Sequence, residues 1–155
     1  MPVRSLRQFL DIQNIPYRCY NHVPTYTAQE EAHVMHISGH EVAKSVLLRV
    51  DDRLVLAVLP ACEKVDLYRF KEMCGAVWNV ELADEAEMQK LAPLCDAGSL
   101  PPIGNLFGLP VYVSTTLARD EVIAFNAGSH TEDIVMFYRD FEYLVQPHIM
   151  DFTVH

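Results

Sequence analysis

No hydrophobic run in this chain approaches the ~20 residues that a membrane-crossing helix needs, which excludes a helical span in this stretch. Met1-Pro2-Val3-Arg4-Ser5 lacks the long apolar segment and small-residue cleavage site of a secretory signal, so the expected location is the cytoplasm. The four cysteines, at 19, 62, 74 and 95, form no CxxC and no dense framework, which points to reduced thiols rather than a disulfide scaffold. Basic runs of five or more residues are also missing. With 12 lysines and arginines against 21 acids the formal net charge is −9. That balance excludes a protein that grips nucleic acid by broad phosphate contact. A nucleic-acid partner must be held at a few cationic points or delivered by another protein. GxSxG, GxxxxGK[ST] and GxGxxG are absent as well, which removes the serine-hydrolase elbow, the phosphate loop and the dinucleotide fingerprint.

What is present is globular. Half of the 155 residues are apolar and 21% are charged, with no internal repeat, linker or low-complexity run. These proportions fit one domain, residues 1–155, with a real core. Helices are expected from Ser5, as a cap, to about Gln13, and from Thr27, in a capping box with Glu30, to about His36. Three more are expected over Asp66–Cys74, Asp84–Leu91 and from an Asp140 cap to Leu144 or Val145. Short strands are expected at Ile15–Tyr20, Val42–Val50, Leu54–Leu59, Ala76–Leu82, Pro110–Val113, Val122–Ala127 and Ile134–Tyr138. Strands joined by tight turns and mixed with helices define an α+β class.

The segment Val42–Val50 places Val42, Lys44, Val46, Leu48 and Val50 on one face, apolar except at Lys44. The other face carries Ser45 and Arg49 and is partly wet. An ammonium on a buried face needs a reason. Either it snorkels from the strand's end to water, or it awaits an anionic partner. The loop Asp96–Asn105 combines glycines, which allow close backbone approach, with prolines that fix φ. It can expose rigid N–H donors to an oxyanion, or it is an ordinary connection. The strand ending in Gly128-Ser129-His130 brings a hydroxyl and an imidazole to its mouth, or closes in a turn whose Ser129 and Thr131 satisfy local backbone groups. His33, His36 and His40 suggest a zinc site in spacing. Ser38-Gly39 breaks the helix before His40, however, and surface histidines are the plainer reading.

Ala43-Lys44-Ser45-Val46, Gly98-Ser99-Leu100-Pro101-Pro102-Ile103-Gly104 and Asn126-Ala127-Gly128-Ser129-His130 together resemble the YbaK/prolyl-tRNA-synthetase-associated domain family. His22-Val23-Pro24-Thr25-Tyr26-Thr27-Ala28 and Asp140-Phe141 fit the same family. The resemblance covers nearly the whole chain in the family's order and spacing. It implies a mixed, barrel-like sheet of about six to seven strands flanked by helices. It also implies hydrolysis of the ester of mischarged aminoacyl-tRNA, with no metal and no cofactor. By the same resemblance Lys44 holds the terminal adenosine and its phosphate. Gly98 to Pro102 matches a GxxxP loop whose N–H groups face the aminoacyl carbonyl, and Gly128 and His130 line the pocket. Catalytic roles then fall to Lys44, Gly98 and His130. Substrate contacts fall to Lys44, Ser99, Leu100, Pro101, Pro102, Gly128, Ser129 and Tyr26. The implied partner is the aminoacylated 3′ acceptor end of a tRNA, probed for a small amino acid on proline tRNA, with an aminoacyl-tRNA synthetase as a further partner. The alternatives are a module that binds without turnover and a metal hydrolase built on the three histidines.

Overall fold

The computed structural model describes residues 2–21, 41–96 and 98–154. The expected helix at Thr27–His36, Tyr26 and the three histidines His33, His36 and His40 lie outside the described residues. No helix among those described is long and apolar enough to cross a membrane.

The chain opens with helix α1 (Pro2–Ile12) and edge strand β1 (Tyr17–Asn21). The helix starts at Pro2, three residues before the expected Ser5 cap, because proline is well suited to a first helical turn, where its missing N–H costs nothing. Leu6 and Leu10 are fully buried on its inner face. Strands β2 (Ala43–Val50) and β3 (Arg53–Pro60) form the expected antiparallel hairpin. Its turn residues Asp51 and Asp52 both have positive φ, 48° and 68°. That is the turn whose twist matches paired strands. Helix α2 (Leu67–Cys74) has Asp66 as its N-cap and Gly75 as its left-handed C-cap, as expected. Phe70 on this helix is fully buried, while Met73 is exposed.

Strand β4 (Val80–Leu82) is shorter than the expected Ala76–Leu82. The Asp51 carboxylate accepts the amides of Val77, Trp78 and Asn79 at 2.7, 2.8 and 2.8 Å, so those donors do not enter a ladder. These bonds, led by the one from Asn79, hold the Asp51 carboxyl below its ordinary pKa. Helix α3 (Glu85–Leu91) carries a full capping box between Asp84 and Glu87. Strand β5 (Val111–Ser114), strand β6 (Val122–Ser129) and strand β7 (Glu132–Phe137) follow. Helix α4 (Tyr138–Val145) begins behind Phe137 with no side-chain cap, so Asp140 sits in its first turn and is not the cap. A short strand β8 (His148–Met150), exposed at two of its three residues, was not expected.

Two sheets result, β1-β7-β6 and β4-β2-β3-β5-β8, with β3-β5 and β5-β8 parallel and the other ladders antiparallel. They meet at a parallel bridge between Val42 and Ala124, and neither closes on itself, so the barrel-like description is loose while α+β holds. The larger sheet is buried on both faces, and its strand β3 (RLVLAVLP) is apolar on both. One cluster gathers Leu47, Leu56, Val58, Ile123, Phe125, Ile134 and Phe141. The second gathers Leu48, Val55, Ala57, Leu59, Phe70 and Phe152. The Ser45–Arg49 face of β2, expected to be partly wet, thus contributes Ala43 and Leu47 to the first core.

Candidate functional site

Strands β2 and β6 run side by side only briefly. The Ala124 amide donates to the Glu41 carbonyl at 2.9 Å, and beyond that point the strands part. β2 turns to β4 through Leu48–Val50, while the freed edge of β6 is taken by the loop before Ser99. The Asp96 amide donates to the Gly128 carbonyl at 2.9 Å, and the Gly128 amide donates to the Ser99 carbonyl at 3.0 Å. The Ser99 amide and hydroxyl both donate to the Asp96 carbonyl, at 3.1 and 2.7 Å. The Asp96 carboxylate accepts the His130 amide at 3.2 Å. The loop is thereby stapled to the end of the strand.

Gly98 crowns this staple, exposed, with φ +78°. A Cβ there would lie 3.8 Å from His130 Cε1, an ordinary contact, so backbone conformation rather than space calls for glycine. Ser99, Leu100, Pro101 and Pro102 are buried beneath it, and Leu100 belongs to the main core. Their side chains anchor the loop. Gly98 alone of this run is exposed, and among the described residues its amide and that of buried Leu100 take part in no hydrogen bond. Ser129 and Thr131 pair through their hydroxyls at 2.8 Å and close the turn, with the Thr131 amide donating to Ser129 Oγ at 3.1 Å. Burial, aided by the Asp96 charge, pushes the neighbouring Cys95 thiol up to about 11, which leaves it inert at neutral pH.

Lys44 is half-buried on the face of β2 opposite Ala43 and Leu47. Burial lowers its pKa below the ordinary 10.5. Cys62 and Glu63 oppose that shift, and Lys64 adds to it. Its charge neighbours thus come from the turn after β3, where Thr116 donates to Glu63 at 2.8 Å. The register of the joined sheets puts further polar groups on the same face. Two residues past the Val42–Ala124 bridge stand Lys44 and Asn126. Asn126 pairs with Asp133 on β7, and Asp133 with Tyr20 on β1. Asn126 Nδ2 donates to Asp133 Oδ1 at 2.9 Å, and Asp133 is fully buried.

The structure therefore brings Gly98, Ser99, Gly128, Ser129 and His130 together. Lys44 stands apart on β2, with Glu63 and Lys64 as charged neighbours, while Asn126, Asp133 and Tyr20 form a polar row across β6, β7 and β1. Asp133 and Tyr20 were missed from sequence, and Asp96 and Asn126 were read only as members of their loop and strand-end motifs. The signal for Asp133 was its place in strand alternation, lost because that strand was expected to start at Ile134.

The chain belongs to the aminoacyl-tRNA editing domain family, whose model matches residues 22–144. Among curated proteins, the multifunctional Ser/Thr-tRNA deacylase ProXp-y of Escherichia coli (strain K12) is 30% identical over 99 residues. That match covers 63% of this chain and 58% of the relative's own length. Among solved structures, the hypothetical protein APE2540 matches with a TM-score of 0.86 at 18% identity, over 96% of this chain and 99% of that one. A candidate trans-editing enzyme for prolyl tRNA synthetase matches with a TM-score of 0.85 at 17% identity, over 99% and 98%. At such identities the structural likeness is one of fold.

Proposed function

We propose that this domain hydrolyses the ester joining a wrongly attached amino acid to the terminal ribose of a tRNA, with a small amino acid on proline tRNA as the substrate. The observation that carries the reading is the Gly98 loop, stapled to Gly128 and His130, with Gly98 exposed and its amide unbonded among the described residues. Donors fixed before the reaction stabilise a developing oxyanion without having to reorganise. A water held between the loop and the substrate's vicinal ribose hydroxyl attacks the carbonyl carbon; the carbon–ribose oxygen bond breaks, and the proton lost by the water passes to the leaving ribose oxygen. An activated ester needs less assistance than an amide, so positioning and oxyanion stabilisation suffice without a protein nucleophile. Lys44 supplies the charge that meets the terminal phosphate, and His130 flanks the carbonyl beside Gly98. The names of the ProXp-y relative and of the prolyl tRNA synthetase trans-editing neighbour support small amino acids and proline tRNA. A synthetase is the natural partner to deliver the tRNA to so acidic a surface.

The test is a panel of mischarged tRNAs incubated with the wild-type protein and with Lys44→Ala. We expect turnover of small amino acids on proline tRNA, a loss of about 100-fold or more in Lys44→Ala with the fold intact, and no effect of chelator. Binding without turnover across the panel would leave a non-catalytic module, and activity that chelator removes would restore the histidine metal reading.

A further inference from the structure

On the outer face of the three-stranded sheet lies a groove of about 450 Å³. Arg18, Tyr20, Val122, Val135 and Phe137 are among the residues that line it. Three observations bear on its occupant. First, although acids outnumber bases 21 to 12, among the described residues no carboxylate lines the groove and the one charged lining residue is Arg18. A second cation stands at its rim, where the Arg139 guanidinium sits 4.9 Å from the centre of the Phe137 ring. Secondly, two aromatic side chains are left uncovered, Tyr20 at 41% and Phe137 at 37% exposure, over an aliphatic floor. Thirdly, Tyr20 in the groove pairs with Asp133 on β7, so the groove adjoins the polar pair Asn126–Asp133 on the same sheet.

Flat apolar faces beside isolated cations are the chemistry that takes stacked bases and their phosphates. The size is that of a small-ligand cleft, with room for a base or two and none for a folded element. We infer that this groove binds the unpaired nucleotides preceding the terminal adenosine of the tRNA. Bases stack on Phe137 and Tyr20, and Arg18 and Arg139 meet the phosphates. The inference rests on the proposed tRNA substrate, but it concerns binding rather than turnover. It also explains how a protein of net charge −9 holds RNA with few cations.

The experiment has two arms. In the first, a labelled, uncharged single-stranded RNA ending in CCA is titrated against wild type, Arg18→Ala and Phe137→Ala by fluorescence anisotropy. Each substitution is expected to weaken binding about tenfold. Arg18→Ala should also flatten the dependence of log affinity on log salt by about 0.7. Arg18 is exposed on an edge strand, so its removal leaves the fold in place if Phe137→Ala does not. In the second arm the same variants hydrolyse aminoacyl-tRNA and aminoacyl-adenosine. A loss in kcat/KM confined to the tRNA substrate supports the groove. Equal losses on both substrates overturn it, as does unchanged RNA affinity. Binding of a proline-rich peptide or anionic vesicles in place of RNA likewise rejects it. Failure of all turnover with the RNA effects intact would sink the hydrolytic reading and leave the groove standing.

Discussion

Lys44 is held under opposing demands. Burial favours its neutral form, while the proposed phosphate contact needs the ammonium. Its folded pKa lies below the 10.5 of the unfolded chain. The unfolded state therefore binds more protons between those two values, and stability rises with pH across that window. Activity should fall across the same window as the ammonium is lost. Background-corrected deacylation and thermal melts, each compared with Lys44→Met, should thus run in opposite directions with pH. Lys44→Met itself should lose activity and keep or gain stability, as residues held for function at the expense of the fold do. A melting point markedly lower than wild type would contradict this. The lysine was legible in sequence because strand alternation alone puts it on a greasy face. Asp133 was not legible, because a buried carboxylate paired to an asparagine reads in one dimension like a turn residue.

Loops and turns here are set by side chains distant in sequence, which is why element types were easier to read than their ends. The cap at Asp66 is local and was expected; Asp84, expected only as the start of its helix, caps it just as locally. The shortening of β4 depends on Asp51, which lies 26 to 28 residues from the amides it binds. Strand β8 pairs parallel to β5 with only three residues, too few to show a period. The loop from Asp96 to Pro102 was recognised by composition, but its staple to Gly128 needed coordinates. Because Gly98 sits at φ +78° with space for a methyl group, Gly98→Ala should disturb the loop's donors more than the core. We expect kcat to fall by about 100-fold, the scale of one lost oxyanion donor. The unfolding midpoint should shift little, as seen by circular dichroism. A normal kcat with a collapsed midpoint would assign the loop a purely structural part.

At the scale of the molecule, charge decides how RNA is approached. Long-range attraction is absent at net −9, so only short-range cations contribute. With Lys44, Arg18 and Arg139 as the contacts, the slope of log(kcat/KM) against log salt should be about −2, at ~0.7 per phosphate of a single strand. A slope near −7 or steeper would mean a broad basic face that this surface does not offer. The class of fold followed from the mixture of patterns, whereas the meeting of the two sheets at Val42 and Ala124 had no sequence signature. The hairpin carrying Lys44 has an independent core on each side and a two-residue turn at Asp51 and Asp52. Were that strand to slip by a single position, every side chain would change sides and the ammonium would be driven into oil. A misthreaded but competent molecule is therefore ruled out by construction, and a count of working sites in any preparation should equal the count of properly assembled chains.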